Sequence, residues 1–145
     1  MSVIISKDLK RYNHLIGEIN AVYHEISLKL GLSDSAMIIL YTICEHGTEC
    51  PLQEIRHLSG LSKQTINSSI RKLESEGIVY MESLGPKSKK VCLTEQGKLL
   101  TEQTAGQILR TENDIFASWP QEDVEKYITL TEAYLLALRR KADKL

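Results

Sequence analysis

The chain has 145 residues, of which 42 % are hydrophobic and 26 % charged, and a formal net charge of −1. This suits one domain, or one lobe with helical extensions; it excludes a disordered chain and a surface coated in positive charge, so affinity for a polyanion must come from local concentration. No apolar run reaches membrane-spanning length, the first residues lack a basic leader followed by a long apolar segment, and three unevenly spaced cysteines make no disulfide framework, which predicts a cytoplasmic protein with no membrane partner.

From about residue 6 to residue 30, Leu9, Tyr12, Ile16, Ile19, Tyr23, Ile26 and Leu30 recur at steps of three and four, with Leu15 and Val22 beside them. That spacing predicts a long helix with a broad apolar stripe, closed by Gly31. Ser33 is placed to cap a second helix carrying Ala36, Met37, Leu40, Tyr41 and Cys44, which ends before Gly47. Pro51 then stands near the first turn of a short amphipathic helix with Leu52, Ile55 and Leu58 at i, i+3, i+6, ended by Gly60.

The next helix carries its own boundaries: Ser62 is a good N-cap, and Gly77 suits the position after the C-cap because it tolerates positive φ. Ile66, Ile70 and Leu73 make its apolar stripe, and the opposite face presents Lys63, Gln64, Thr65, Asn67, Ser68 and Arg71, with no acid. Such a face suits a duplex: arginine and lysine meet phosphate or guanine, asparagine and glutamine meet adenine, and hydroxyls meet phosphate oxygens. A short helix, a turn containing glycine and a second capped helix form the helix-turn-helix unit, in which the second helix enters the groove.

Downstream, Ile78-Val79-Tyr80-Met81-Glu82 and Val91-Cys92-Leu93 read as the strands of a two-stranded hairpin, with a basic turn over residues 83–90. Lys87, Lys89 and Lys90 would set three ammonium groups beside a phosphate backbone. Over residues 60–93 there are six bases and three acids, so the acidic excess lies in the rest of the chain, where it limits non-specific adsorption to DNA.

Thr94 is the expected cap of a long helix reaching Ser118 and Trp119, with Leu99, Leu100, Ile108, Leu109, Ile115 and Phe116 as apolar positions. Pro120 starts another, carrying Val124, Tyr127, Ile128, Leu130, Tyr134, Leu135 and Leu138. A small lobe cannot bury the faces of three long helices, which predicts a two-fold homodimer in preference to a monomeric bundle. Two dyad-related reading helices spaced by one turn of duplex would demand a near-palindromic operator.

The segments Leu61-Ser62-Lys63-Gln64-Thr65-Ile66, Leu73-Glu74-Ser75-Glu76-Gly77-Ile78-Val79 and, after a basic wing, Val91-Cys92-Leu93-Thr94-Glu95-Gln96-Gly97 resemble the MarR family of winged helix-turn-helix transcription regulators. The resemblance implies a mainly α fold with a small β-hairpin wing. A winged helix-turn-helix DNA-binding lobe over residues 32–94 would join helical dimerisation regions at 1–31 and 95–145. It also implies double-stranded DNA as partner, repression as the usual outcome, and release by a small aromatic or amphipathic ligand. Tyr12, Tyr23, His24, Met37 and Tyr41 are the residues that would line its crevice, although each also suits a core or interface role. The family's usual Asp-x-Arg pair in the wing is replaced here by Gly85-Pro86-Lys87 in a shorter hairpin, so the bracing acid is missing and the minor-groove arginine has a lysine in its place.

No nucleotide-binding, metalloprotease or nucleophile-elbow motif is present, which predicts a binding protein without cofactor or catalysis. Cys44, His46 and Cys50 are the one tight cluster of cysteine and histidine. A zinc site needs a fourth ligand, so the expectation is a buried Cys44 with His46 and Cys50 in a loop and no metal. No base is placed to activate Cys44 as a redox sensor. His14 and His24 are candidates for titration near neutral pH or for solvated helix positions. The competing class is a winged-helix protein-interaction module without DNA-binding activity.

Overall fold

Ser6 opens the first helix of the computed structural model, which describes residues 2–145: its hydroxyl accepts from the Leu9 amide at 3.0 Å, and α1 runs Lys7–Lys29. The same device starts α2, Asp34–His46, where the Ser33 hydroxyl accepts from the Ala36 amide. Gly31 turns the chain between them at φ +80°, a conformation that a Cβ disfavours. α2 is the central helix of the lobe, with Met37, Ile39, Leu40 and Ile43 all buried.

A strand missed in the sequence follows: β1, Glu49–Pro51, pairs antiparallel with β3, so the expected two-stranded hairpin is a three-stranded sheet of order β1-β3-β2. Cys50, expected in a loop, is fully buried within β1, and His46 is the last residue of α2 with its ring Nδ1 2.9 Å from the Thr42 carbonyl oxygen. α3, Leu52–Ser59, and α4, Lys63–Ser75, are joined by a turn in which Gly60 takes φ +71°. α4 closes as the sequence dictates: the Gly77 amide donates to Glu74 and the Ile78 amide to Leu73, the paired bonds of a Schellman motif.

The wing strands are longer than expected, β2 spanning Val79–Gly85 and β3 Ser88–Leu93, so the turn shrinks to Pro86 and Lys87. Ile55, Ile66, Ile70, Leu73, Val79, Val91 and Leu93 join the α2 residues in one core. Burial of each such side chain contributes roughly 1.5–3 kcal/mol before the entropy of ordering it is subtracted.

The long helix expected after Thr94 is interrupted. α5, Glu95–Gln103, and α6, Ala105–Ala117, are separated by Thr104, whose backbone leaves the helical region (φ −122°, ψ −92°). Its hydroxyl donates to the Leu100 carbonyl oxygen at 2.7 Å, a side-chain bond to the preceding turn that bends helices. α7 runs Gln121–Ala142.

The chain divides into two units, Met1–Gln107 and Ile108–Leu145. Within the second, Phe116, Trp119 and Tyr127 stack around the α6–α7 turn, with ring centroids 5.4–6.2 Å apart. Tyr127, Ile128, Leu130, Tyr134, Leu135 and Leu138 of α7 are exposed; within the first unit so are Leu9, Tyr12, Leu15, Ile19 and Val22 of α1.

Candidate nucleic-acid interface

α4 is fixed from both ends and from beneath. The Ser62 hydroxyl accepts from the Thr65 amide at 3.1 Å and donates to the Thr65 hydroxyl at 2.8 Å, while Ile66, Ile70 and Leu73 lock the inner face to the core. Ser69 faces α2, its hydroxyl donating to that of Ser35 at 2.7 Å. Lys63, Gln64, Thr65, Ser68 and Arg71 are left exposed, and Asn67 is half-buried.

Between α3, α4 and the wing lies a cleft of about 1050 Å³. Asn67, Ile70, Arg71 and Glu74, at i, i+3, i+4 and i+7 of α4, form one wall; Arg56 of α3 and Lys87 and Lys89 of the wing stand on the others. Arg56, Arg71, Lys87 and Lys89 thus face a single acid, Glu74, across the cleft. Close-set cations with so little compensation favour an anion between them.

Strand alternation divides the wing lysines. Lys89 and Met81 line the cleft, whereas Lys90 points from the opposite face of β3 and donates to Glu49 Oε1 of β1 at 2.9 Å. That hydrogen bond, ahead of the Glu49 and Glu82 charges, raises the Lys90 pKa above its ordinary value. Sequence reasoning grouped the three lysines because the strand was too short in that reading; with β3 starting at Ser88, period two separates Lys89 from Lys90.

The same outer face of the sheet carries Cys92, whose thiol lies 3.8 Å from Glu49 Oε2 and 3.7 Å from Glu82 Oε2. Burial and then these two carboxylates raise its pKa, and burial pushes Cys50 up to about 11. Both thiols therefore stay protonated at neutral pH and are poor nucleophiles. Among the described residues no group of three His, Cys, Asp or Glu side chains is arranged to hold a metal ion.

Of the residues considered for a ligand crevice, Tyr12 and Tyr23 are exposed on α1, Tyr41 is half-buried on α2 and Met37 lies inside the core at 4 % exposure. His24 joins two elements: its Nδ1 is 2.7 Å from Asp34 Oδ2, tying α1 to the first turn of α2. No single helix among the described residues is long and apolar enough to cross a membrane.

A family model described as MarR family matches residues 30–85, from the α1–α2 turn to the end of β2. No curated protein matches the sequence. Solved structures do share its fold: a MarR family regulator from Neisseria meningitidis is 17 % identical with a TM-score of 0.82, covering 96 % of this chain and 99 % of that one. NadR, solved in complex with 4-hydroxyphenylacetate, is 15 % identical (TM-score 0.67, 95 % and 96 % covered). BpsR of Bordetella bronchiseptica, whose DNA binding is described as regulated by 6-hydroxynicotinic acid, is 17 % identical (TM-score 0.62, 86 % and 98 % covered). The lobe thus carries a stretch similar to the MarR family over residues 30–85, and nearly the whole chain shares the winged-helix fold of solved MarR family structures.

Proposed function

We propose that the protein is a cytoplasmic homodimer that binds a near-palindromic DNA operator, inserts α4 into the major groove and represses transcription until a small ligand releases it. The observation that carries this reading is the outer face of α4 from Lys63 to Arg71, which holds no acid, beside a cleft in which Glu74 is the single acid: Gln64, Thr65, Asn67 and Ser68 are the groups for base edges, and Lys63, Arg71, Lys87 and Lys89 those for phosphate. Ser62 contributes mainly as the cap that holds the first turn of α4 in shape. Lys90 is held by Glu49 on the outer face of the sheet and is left out of the phosphate set. Dimerisation supplies the second reader, and the exposed apolar stripes of α1 and α7 are its reason. The action is binding, with no catalytic step.

For the effector we propose a small aromatic acid, the class to which the ligands named for NadR and BpsR belong. Tyr12 and Tyr23 of α1 and Tyr41 of α2 would supply aromatic walls, and His24, bound to Asp34 at the α1–α2 joint, a polar point; Met37 is in the core. A ligand that favours one separation of the two readers shifts operator occupancy by its differential affinity alone.

The test is selection of bound duplexes from a random pool, followed by anisotropy titration at several salt concentrations. Recovery of an inverted repeat, with affinity falling steeply as salt rises, is the expected result. No attraction to any duplex in dilute buffer, or binding to a protein partner indifferent to ionic strength, overturns it.

A further inference from the structure

Arg56 lies outside the reading helix, yet it touches the reader. Its Nη2 donates to Oδ1 of Asn67 at 3.4 Å, from α3 across the helix-turn-helix joint to α4. Its Nε is buried with no hydrogen-bond partner, so the guanidinium is drawn into the joint and not spread over the surface. Both residues are half-buried and line the cleft.

An asparagine amide has two faces, a carbonyl that accepts and an NH2 that donates. A mobile asparagine reads adenine with both, accepting from N6 and donating to N7. Here the carbonyl is turned inward onto Arg56, which leaves the NH2 as the group presented outward. A donor alone is matched best by guanine, whose O6 and N7 both accept; adenine sets its N7 acceptor beside an N6 amino group that repels the donor, and thymine offers O4 alone, beside its methyl group.

Resting on the DNA-binding reading above, we infer that Arg56 is a positioning residue that holds the Asn67 amide with its NH2 outward and so makes this position of the operator a guanine. Removing the Arg56 donor frees the amide to rotate and admits adenine.

The experiment compares sequences selected from a random duplex pool by the wild-type dimer, Asn67→Ala, Arg56→Met and Arg56→Lys. Asn67→Ala identifies the position by flattening its preference. The wild type should select guanine there by roughly five- to tenfold over adenine. Arg56→Met, which keeps an apolar stem and removes the unsatisfied donor, should shift that position toward adenine and leave the others unchanged. Arg56→Lys retains a donor and should retain guanine. A melting temperature near that of the wild type separates this from mere loss of structure, which would weaken all positions alike.

The inference is overturned if Arg56→Met leaves the base at that position unchanged, if it lowers affinity uniformly, or if Arg56→Lys loses guanine while folded. If the wild type selects a clear operator in any of these cases, the DNA-binding reading survives. If the wild type selects nothing, both fall together.

Discussion

Gly97 sits so close beneath the carbonyl oxygen of Ile78 that a Cβ there would overlap it. The contact belongs to a knot in which Thr94 does three things: its hydroxyl donates to the Gly77 carbonyl at 2.6 Å, lies 3.1 Å from that of Ile78, and accepts from the Gly97 amide at 2.9 Å. The Thr94-x-x-Gly97 motif therefore fastens the start of α5 to the exit of α4, where the wing begins.

Gly97→Ala should consequently destabilise the lobe although alanine is the better helix former. The obstacle is backbone, which cannot swing aside, and overpacking of this kind costs roughly 1–3 kcal/mol. Thermal unfolding followed by circular dichroism should show a fall in Tm of several degrees. Gly17→Ala, with open space around its Cβ position, is the control that should leave Tm unchanged or raised.

The wing lysines separate by strand face, and their variants should separate likewise. Lys87→Gln and Lys89→Gln each remove a cation from the cleft and should flatten the slope of log affinity against log salt by about 0.9 if each meets a phosphate. Lys90→Gln releases Glu49 on the far side and should leave that slope as it was. Salt titrations of the three single variants on one duplex decide this; equal effects from all three would contradict the facial assignment.

Much of this was legible in the sequence because it is local. Ser33, Ser62 and Thr94 cap the helices they were expected to cap, and Gly31, Gly60 and Gly77 turn the chain where a left-handed residue is required. What escaped depends on partners distant in the chain. β1 has three residues, too few for alternation to register, and exists because Cys50 meets Val91 across the sheet. The break at Thr104 was passed over because Leu100 and Ile108, eight residues apart, keep helical phase across a gap with no apolar position of the stripe in it, and the Arg56–Asn67 bond was hidden because nothing in either segment announces the other. The acid-free stretch of α4 from Lys63 to Arg71 could be read directly, but that Glu74 one turn on shares its cleft wall, and that Lys89 and Lys90 part company, could not, the second because it required the true end of the strand.

Cys50 makes the stability depend on alkaline pH. Its thiol is pushed from 9.0 up to about 11, chiefly by burial, with Glu54 and Glu45 adding to it. The unfolded chain loses this proton first, so the native state binds more protons between those two values. The contribution is whole below pH 9 and disappears as pH rises through about 11. The Tm of the wild type should therefore drop more between these limits than that of Cys50→Ala. Iodoacetamide at pH 8 should modify Cys50 and Cys92 far more slowly in the native protein than in urea.

The apolar stripe of α1 provides the last prediction. Leu15, Ile19 and Val22 stand at i, i+4 and i+7 and are 49 %, 46 % and 52 % exposed, which is costly for an isolated chain and unexceptional for a subunit. Ile19→Glu places a charge in the middle of that stripe without touching the core of the lobe. A dimer dependent on the stripe should dissociate, and light scattering should report the chain mass of 16.4 kDa instead of twice that value. The lobe should still fold, because Met37, Ile39, Leu40 and Ile43 pack regardless of what α1 meets outside it. Affinity for a two-site duplex should then fall roughly a hundredfold or more, because linked occupancy of the half-sites is lost, while affinity for a single half-site should hold. An Ile19→Glu protein that remains dimeric, or one that is monomeric with undiminished two-site affinity, would remove α1 from the assembly and with it the geometric basis for a palindromic operator.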